Sequence, residues 1–326
     1  MKAIVYYEYG SPDVLRHEEI EKPTAGENQV LVRVRAAALN PADRHLMRGA
    51  PLIFRMLFRL PKPSSEQPGR PGRDVAGQVE AVGANVTQFK PGDEVFGSCA
   101  GACAEFACPS EAKLVLKPNN VTFEEAASAP VAAYTALQGL RDKGLLQPGQ
   151  KVLINGAAGG VGTFAVQIAK SMGAEVTGVC STRNVEMVRS IGADHVIDYS
   201  QEDFTSTGQH YDLVLDCVWN RPLSACKRIL NPRGIYVIVG GPISKGPMRF
   251  MSRVAMARVS SLFAGKKFLL FMAKSTKEDL TVISDLMASG KVKPVIDQRY
   301  SLSEVPEAMR YLEEGHARGK VIITVA

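Results

Sequence analysis

Lys151-Val-Leu-Ile-Asn-Gly-Ala-Ala-Gly-Gly-Val-Gly162, continued by Thr163-Phe-Ala-Val-Gln-Ile-Ala-Lys170, reads as a short buried strand, a glycine turn and a helix. Val152, Leu153 and Ile154 form the strand. Gly156, Gly159, Gly160 and Gly162, interleaved with Ala158 and Val161, form the turn. Phe164, Ala165, Ile168 and Ala169 give the helix an apolar face at helical spacing. Such a turn lets backbone approach a pyrophosphate closely. It also aims the free N–H groups of a helix N-terminus at that pyrophosphate. Glycines alone are a weak signal, and the strand before and helix after them give this one its weight. The competing reading is an ordinary strand-to-helix turn.

Gly173 ends the helix, and Glu175 to Cys180 is the next strand. At the tip of that strand an NAD-preferring site places an acid to hold the ribose 2′-hydroxyl. This chain has Ser181-Thr182-Arg183 there instead. A carboxylate would repel a 2′-phosphate, whereas hydroxyls and a guanidinium bind it by charge-assisted hydrogen bonds. The expected cofactor is therefore NADPH rather than NADH. The bland alternative is that Arg183 is a solvated helix-start residue and selectivity is loose.

The chain has 326 residues, which predicts one large or two medium domains. Apolar residues make up 45% and charged ones 22%, the balance of a globular protein that buries a substantial core. A formal charge of +6 suits anionic ligands but does not argue for nucleic acid. The six cysteines, Cys99, Cys103, Cys108, Cys180, Cys217 and Cys226, are read as reduced, and the chain as cytosolic. Met1 to Tyr7 reads as a strand rather than a targeting segment. No apolar run reaches the length of a membrane span.

Residues 1 to about 120 are β-rich. Strands are expected at Ala3–Tyr7, Gln29–Ala37, Gly77–Val82, Glu94–Gly97, Ala104–Cys108 and Ala112–Leu116, punctuated by Gly, Pro and Asp. Short strands at this spacing suggest a barrel or sandwich. Phe123 to Leu140 reads as a helix interrupted near Pro130. Strands and helices then alternate: Val185–Ile191 as helix, His195–Asp198 and Leu213–Asp216 as strands, Leu223–Leu230 as helix, Ile235–Val239 as strand. That alternation predicts an α/β doubly wound parallel sheet, with ligands at the carboxyl ends of its strands. Asp216 to Asn220 and Val239, Gly240 and Gly241 fall at such ends. The tail reads as helix (Leu280–Met287), strand (Val292–Ile296), helix (Val305–Leu312, opened by Ser303) and a last apolar strand, Gly319–Val325. This last strand is expected to complete the first domain's sheet. The domains are thus expected at 1–120 with 290–326, and at 121–289.

Taken together, Asn40-Pro-Ala-Asp43, Pro71-Gly-Arg-Asp-Val-Ala-Gly77, Gly83, Pro91-Gly-Asp-Glu-Val95, Gly156 to Gly162, Gly192-Ala-Asp194, Val196-Ile-Asp-Tyr199 and Gly319-Lys320 resemble a known family from end to end. It is the zinc-free medium-chain dehydrogenase/reductase family, quinone oxidoreductase (zeta-crystallin-like) branch. The resemblance implies a GroES-like β-rich catalytic domain and a Rossmann domain, with the nicotinamide in the cleft between them, and a homodimer. It implies that Asn40 lies near the nicotinamide and that Thr135 matches the threonine after the interdomain helix's aromatic. Gly159 to Gly162 would bind the pyrophosphate, and Ser181 and Arg183 the 2′-phosphate. Tyr199 would flank the adenosine phosphate, Asn220 the adenine–ribose side, and Val239 to Gly241 the nicotinamide ribose. Where the branch usually carries a tyrosine five residues after the asparagine, this chain carries His45.

Zinc enzymes of the same fold need a thiolate, an imidazole and a further ligand around one open position. Here the first thiolate position is Asn40, and Arg73-Asp74 replaces a His-Glu pair. Cys99, Cys103 and Cys108 are too few and wrongly spaced for a structural zinc lobe. No metal is therefore expected. Without a Lewis acid the feasible acceptors are already electrophilic, such as quinones and α,β-unsaturated carbonyls. Asn40 is the expected hydrogen-bond donor to the developing oxyanion. His45 is a candidate proton source, against an at least equal reading as a surface or packing histidine in a loop.

Two stretches stand outside the resemblance. Residues 48–70 have an apolar middle, Leu52 to Phe58, that suits a lid or a helix packed on the barrel. Pro247 to Lys277 is basic and interleaved with Met and Phe. It reads as a substrate-channel or dimer surface, with an amphipathic helix on an anionic membrane as the lesser reading. The favoured function is a metal-independent NADPH-dependent reductase of a small quinone or enone. A zinc-type alcohol dehydrogenase and a non-catalytic NADPH-binding protein are the rivals.

Overall fold

A valine- and alanine-rich run at residues 30–39 forms the spine of the first half of the computed structural model, which describes residues 1–49, 62–240 and 266–325. The chain opens with β1 (Lys2–Val5) and β2 (Arg16–Glu19), an antiparallel pair. The spine strand β3 (Val30–Leu39) runs directly into helix α1 (Pro41–Met47). Four strands follow: β4 (Asp74–Val82), β5 (Glu94–Ser98), β6 (Phe106–Ala107) and β7 (Leu114–Leu116). Helix α2 (Phe123–Ser128) starts at a Thr122–Glu125 capping box, and α3 (Pro130–Gln138) follows it. The expected interruption is at Pro130, and α3 ends in a π turn, Gly139–Lys143.

Alternation then begins. It runs β8 (Lys151–Asn155), α4 (Gly160–Ser171), β9 (Glu175–Cys180), α5 (Val185–Ser190), β10 (His195–Asp198), β11 (Tyr211–Asp216), α6 (Leu223–Arg228), β12 (Leu230–Ile238) and β13 (Lys267–Leu270). The tail contributes α7 (Lys277–Ala288), β14 (Ile296–Ser301), α8 (Val305–Glu314) and β15 (Lys320–Thr324).

The chain divides into two compact units, residues 1–132 with 275–290 and 294–326, and residues 133–274 with 291–293. In the first, a seven-stranded sheet runs β14-β15-β3-β4-β5-β7, with β6 also on β3. The last strand, β15, does complete this sheet: it pairs antiparallel with β3 and parallel with β14. Ile4, Val32, Leu39, Met47, Val75, Met309 and Ile323 are among its core residues. In the second unit, a six-stranded parallel sheet runs β10-β9-β8-β11-β12-β13. That is the doubly wound order, reversing between β8 and β11.

Four expectations shift. Helix α7 belongs to the first unit rather than the second: its Ala288 carbonyl accepts from Asn120 at 3.0 Å, and Lys277 lies over the Phe89 ring. The strand expected at 292–296 lies at Ile296–Ser301. The Gln167 side-chain amide occupies the Lys293 backbone (2.7 and 3.0 Å), and Pro294 has no N–H to offer a ladder. The turn into α8 is capped by Ser301 through a box with Glu304, not by Ser303. The described end of the basic stretch forms strand β13 rather than an amphipathic helix. Residues 247–265 of that stretch, and the apolar middle of 48–70, lie outside the described residues.

Candidate functional site

In the second unit the strand order reverses between β8 and β11, whose last residues Asn155 and Asp216 are paired in register. Ligands of such sheets bind in the crevice outside this reversal. Asp216 is wholly buried at its base. Its Oδ1 accepts from Asn155 Nδ2 (2.8 Å) and from the backbone N–H of Val218 (2.9 Å) and Trp219 (2.7 Å). Its Oδ2 accepts from the Tyr236 hydroxyl at 2.5 Å. These bonds pin the loop after β11 and hold Trp219 at φ 53°, a left-handed conformation costly for a bulky residue. Asn220 follows, exposed, with its Oδ1 3.3 Å from Asn155 Nδ2. Val239 donates its N–H to the Asp216 carbonyl at 3.0 Å, and Gly240 lies beside Cys217. Gly241 lies outside the described residues.

The glycine turn forms one wall of this crevice. The N–H groups of Gly156 and Ala157 both donate to the Val179 carbonyl, at 3.1 and 3.0 Å. Gly156 has φ +84°, and a Cβ on Gly162 would stand 2.0 Å from the Gly156 carbonyl oxygen. Helix α4 begins at Gly160 after an extended Gly159, so Gly160, Val161 and Gly162 occupy its first turn. N–H groups there have no acceptor within the helix, and the helix dipole favours an anion. The cradle that a side chain would fill, followed by these N–H groups, fits a pyrophosphate.

The tips of β9 and β10 lie side by side, Cys180 paired with Asp198. Ser181 is half-buried and opens the turn Thr182–Asn184, from which Arg183 projects exposed. Tyr199 donates its N–H to the Cys180 carbonyl (3.0 Å), and 53% of its surface is exposed. Ser181, Arg183 and Tyr199 thus share one rim. Asp198, on the same rim, accepts from the side chain and backbone of Thr182 and from Ser200, which hold its carboxyl below its usual range. Thr135 is half-buried on α3.

Asn40 and His45 belong to the first unit. Asn40 follows β3, takes the N-cap position of α1 and is 3% exposed. Its Nδ2 donates to Asp74 Oδ2 at 2.9 Å, and its Oδ1 accepts from Lys320 Nζ at 2.7 Å. Lys320 also pairs with Asp74 Oδ2 at 3.1 Å, and the Val131 N–H donates to Asp74 Oδ1 at 2.9 Å. Sheet register creates this cluster: Asp74 of β4 lies opposite Ala38, and Val321 of β15 lies opposite Leu39. A buried ion pair repays its desolvation only when its remaining hydrogen bonds are made, as here. Asp43 sits beside it, accepting from the N–H groups of Asn40 (2.8 Å) and Gly72 (3.0 Å). Burial pushes its carboxyl up to about 6.

This donor set does not fit zinc. An amide, a carboxylate and an ammonium meet here with neither thiolate nor imidazole, and Lys320 already supplies the cation. Cys99 and Cys103 are buried in the core, and burial pushes the Cys99 thiol up to about 11, so it stays protonated. Among the described residues no group of three His, Cys, Asp or Glu side chains is arranged for a metal. His45 lies on α1, not in a loop. Burial and then Arg44 lower its imidazole below its usual value. The sequence motifs contained Asp43, Asp74, Asp216 and Lys320 without suggesting their roles. The available signal was a lysine opening an otherwise apolar strand, Lys320-Val-Ile-Ile.

Comparison with known proteins matches residues 26–130 to the family described as alcohol dehydrogenase GroES-like domain, and residues 191–323 to the one described as zinc-binding dehydrogenase. The chain is 35% identical to the chloroplastic quinone-oxidoreductase QR1 of Triphysaria versicolor, over 99% of this chain and 98% of that one. It is 34% identical to the chloroplastic NADPH-dependent alkenal/one oxidoreductase of Arabidopsis thaliana, over 99% of this chain and 79% of that one. The solved quinone oxidoreductase from Coxiella burnetii superposes with a TM-score of 0.84 at 30% identity, covering 100% of this chain and 99% of that one.

Proposed function

The chain belongs to the zinc-free medium-chain dehydrogenase/reductase family of quinone oxidoreductase type, and on that premise we propose that it reduces quinones or α,β-unsaturated carbonyls with NADPH, without a metal. It is an oxidoreductase, and its cofactor is NADP(H). Relatives named for both acceptor types support the substrate class.

The observation that carries the reading is the Lys320–Asn40–Asp74 cluster. By the resemblance, Asn40 and Asp74 take positions at which zinc enzymes of this fold carry metal ligands, and the cluster offers a hydrogen-bond donor instead of a Lewis acid. Asp74 takes one Nδ2 hydrogen of Asn40, and Lys320 polarises the amide from its oxygen. The second Nδ2 hydrogen, made more acidic by that polarisation, is the donor we assign to the acceptor's developing oxyanion. Burial of the cluster raises the worth of that bond over its value in water. NADPH, when bound, supplies the hydride. The glycine turn holds its pyrophosphate, and Ser181 and Arg183 hold its 2′-phosphate.

The test is the initial rate of NADPH and of NADH oxidation with an ortho-quinone and with an enone. Turnover with NADPH is expected, and the faster acceptor names the class. NADPH binding without turnover on either acceptor would replace this reading with a non-catalytic binding protein.

A further inference from the structure

Asn184 is the last residue of the turn that follows β9, and it opens helix α5. Asparagine at a helix start ordinarily caps the first free N–H groups with its side chain. Here it makes no such bond. The side chain, 7% exposed, turns back and donates from Nδ2 to Ser181 Oγ at 3.1 Å. Its Oδ1 is buried without a partner among the described residues. The orientation therefore forgoes both a cap and a buried hydrogen bond, two contributions that stability alone would favour.

The arrangement has a consequence at Ser181. A serine hydroxyl has one proton to donate and two lone pairs to accept with. Asn184 fills an accepting position, and no acceptor among the described residues takes the proton. Asp198, the carboxylate on the neighbouring strand tip, is engaged by Thr182 and Ser200 instead. Ser181 is half-buried and stands at the strand tip that meets the 2′ side of a bound dinucleotide. A phosphate accepts hydrogen bonds, whereas a ribose 2′-hydroxyl can satisfy either role. A serine preset as a donor favours the phosphate. We propose that Asn184 is a positioning residue for cofactor selectivity, which orients the Ser181 hydroxyl as a donor to the 2′-phosphate. The inference rests on the NADPH reading of this rim and adds to it a residue that does not itself touch the cofactor.

The test measures dissociation constants of the full-length protein for NADPH and NADH by fluorescence titration. Adenosine 2′,5′-bisphosphate and adenosine 5′-monophosphate serve as probes of the phosphate alone. Asn184→Ala is expected to weaken NADPH and the bisphosphate about fivefold, the worth of one oriented hydrogen bond, and to leave NADH and the monophosphate within about twofold. Asn184→Asp substitutes an acceptor that would capture the Ser181 proton and add a charge facing the phosphate. It is expected to weaken NADPH by more than tenfold, roughly, while sparing NADH. If Asn184 acts through Ser181, the double variant Ser181→Ala/Asn184→Ala binds NADPH no more weakly than Ser181→Ala alone.

Equal losses for NADPH and NADH in Asn184→Ala, or additive losses in the double variant, would overturn the proposal while leaving the NADPH reading intact. A wild-type protein that binds NADH as tightly as NADPH would overturn both. Should Asn184→Ala fail to fold, Asn184→Gln keeps the donor on a longer arm. The same comparison of the two adenosine phosphates then decides: retained preference for the bisphosphate supports the role, and its absence overturns it.

Discussion

Asp43 shows how one buried side chain links two distant turns. Its carboxyl accepts from the Asn40 N–H, fixing the start of α1, and from the Gly72 N–H, fixing the entry to β4. These bonds favour the ionised form, yet burial outweighs them and raises the carboxyl from 3.8 to about 6. The folded protein thus binds a proton that the unfolded chain releases between these values. By linkage, this group's contribution to stability is fully present below about pH 4 and is lost as pH rises through about 6. In Asp43→Asn that component disappears. The variant is expected to be less stable throughout, because its amide cannot accept both N–H bonds from two oxygens. The difference in melting temperature from wild type should narrow as pH rises from about 4 to about 6. A constant difference across that range would refute the linkage. The neighbouring Lys320 and Asp74 show the same economy: each is buried, and each finds in the other its opposite charge.

At the scale of elements, the β8–turn–α4 unit is the part of the sheet whose geometry fits a pyrophosphate. Its strand is apolar because both faces of a parallel sheet are covered. Its glycines answer a close approach of backbone to backbone, tightest at Gly162 against the Gly156 carbonyl. Gly162→Ala forces that contact apart. It is expected to cost about 1–3 kcal/mol of stability, as overpacking does, read as a lower denaturation midpoint. If, as proposed, the displaced atoms face the pyrophosphate, NADPH affinity should also fall more than tenfold, roughly, in a fluorescence titration. Wild-type values for both would mean that the turn has slack the geometry does not show. The loop after β11 is the complementary element. Nothing in Cys217-Val-Trp-Asn220 suggests a fixed turn locally, and the left-handed Trp219 is held by Asp216 from the strand before it.

For the whole molecule, the chain's last strand is a working part of its first unit. β15 joins β3 to β14 and carries Lys320 into the cluster around Asn40. A chain ended after Gly315 exposes two strand edges and leaves Asp74 buried without its cation, a combination costing several kcal/mol. Such a chain is expected to lose the cooperative unfolding transition of residues 1–132, followed by circular dichroism and by protease sensitivity in that segment. Retention of a sharp transition and of protease resistance there would show that the strand is dispensable.

Much of this was legible in the sequence because it is encoded locally. The alternation of apolar strands with helices, the glycine turn between Asn155 and Thr163, and the absence of an acid after Cys180 each lie within a few residues. They determine the doubly wound sheet and point to the NADP(H) cofactor. The closing strand was also readable, from its apolar run. The meeting of Asn40 with Asp74 and Lys320, across separations of 34 and 280 residues, was not. Neither was the burial that raises Asp43 above its ordinary range and lowers His45 below its own. Those features depend on strand register and on which side chains the fold removes from water. Both are set by the pairing of distant segments, and only the tertiary structure decides that pairing.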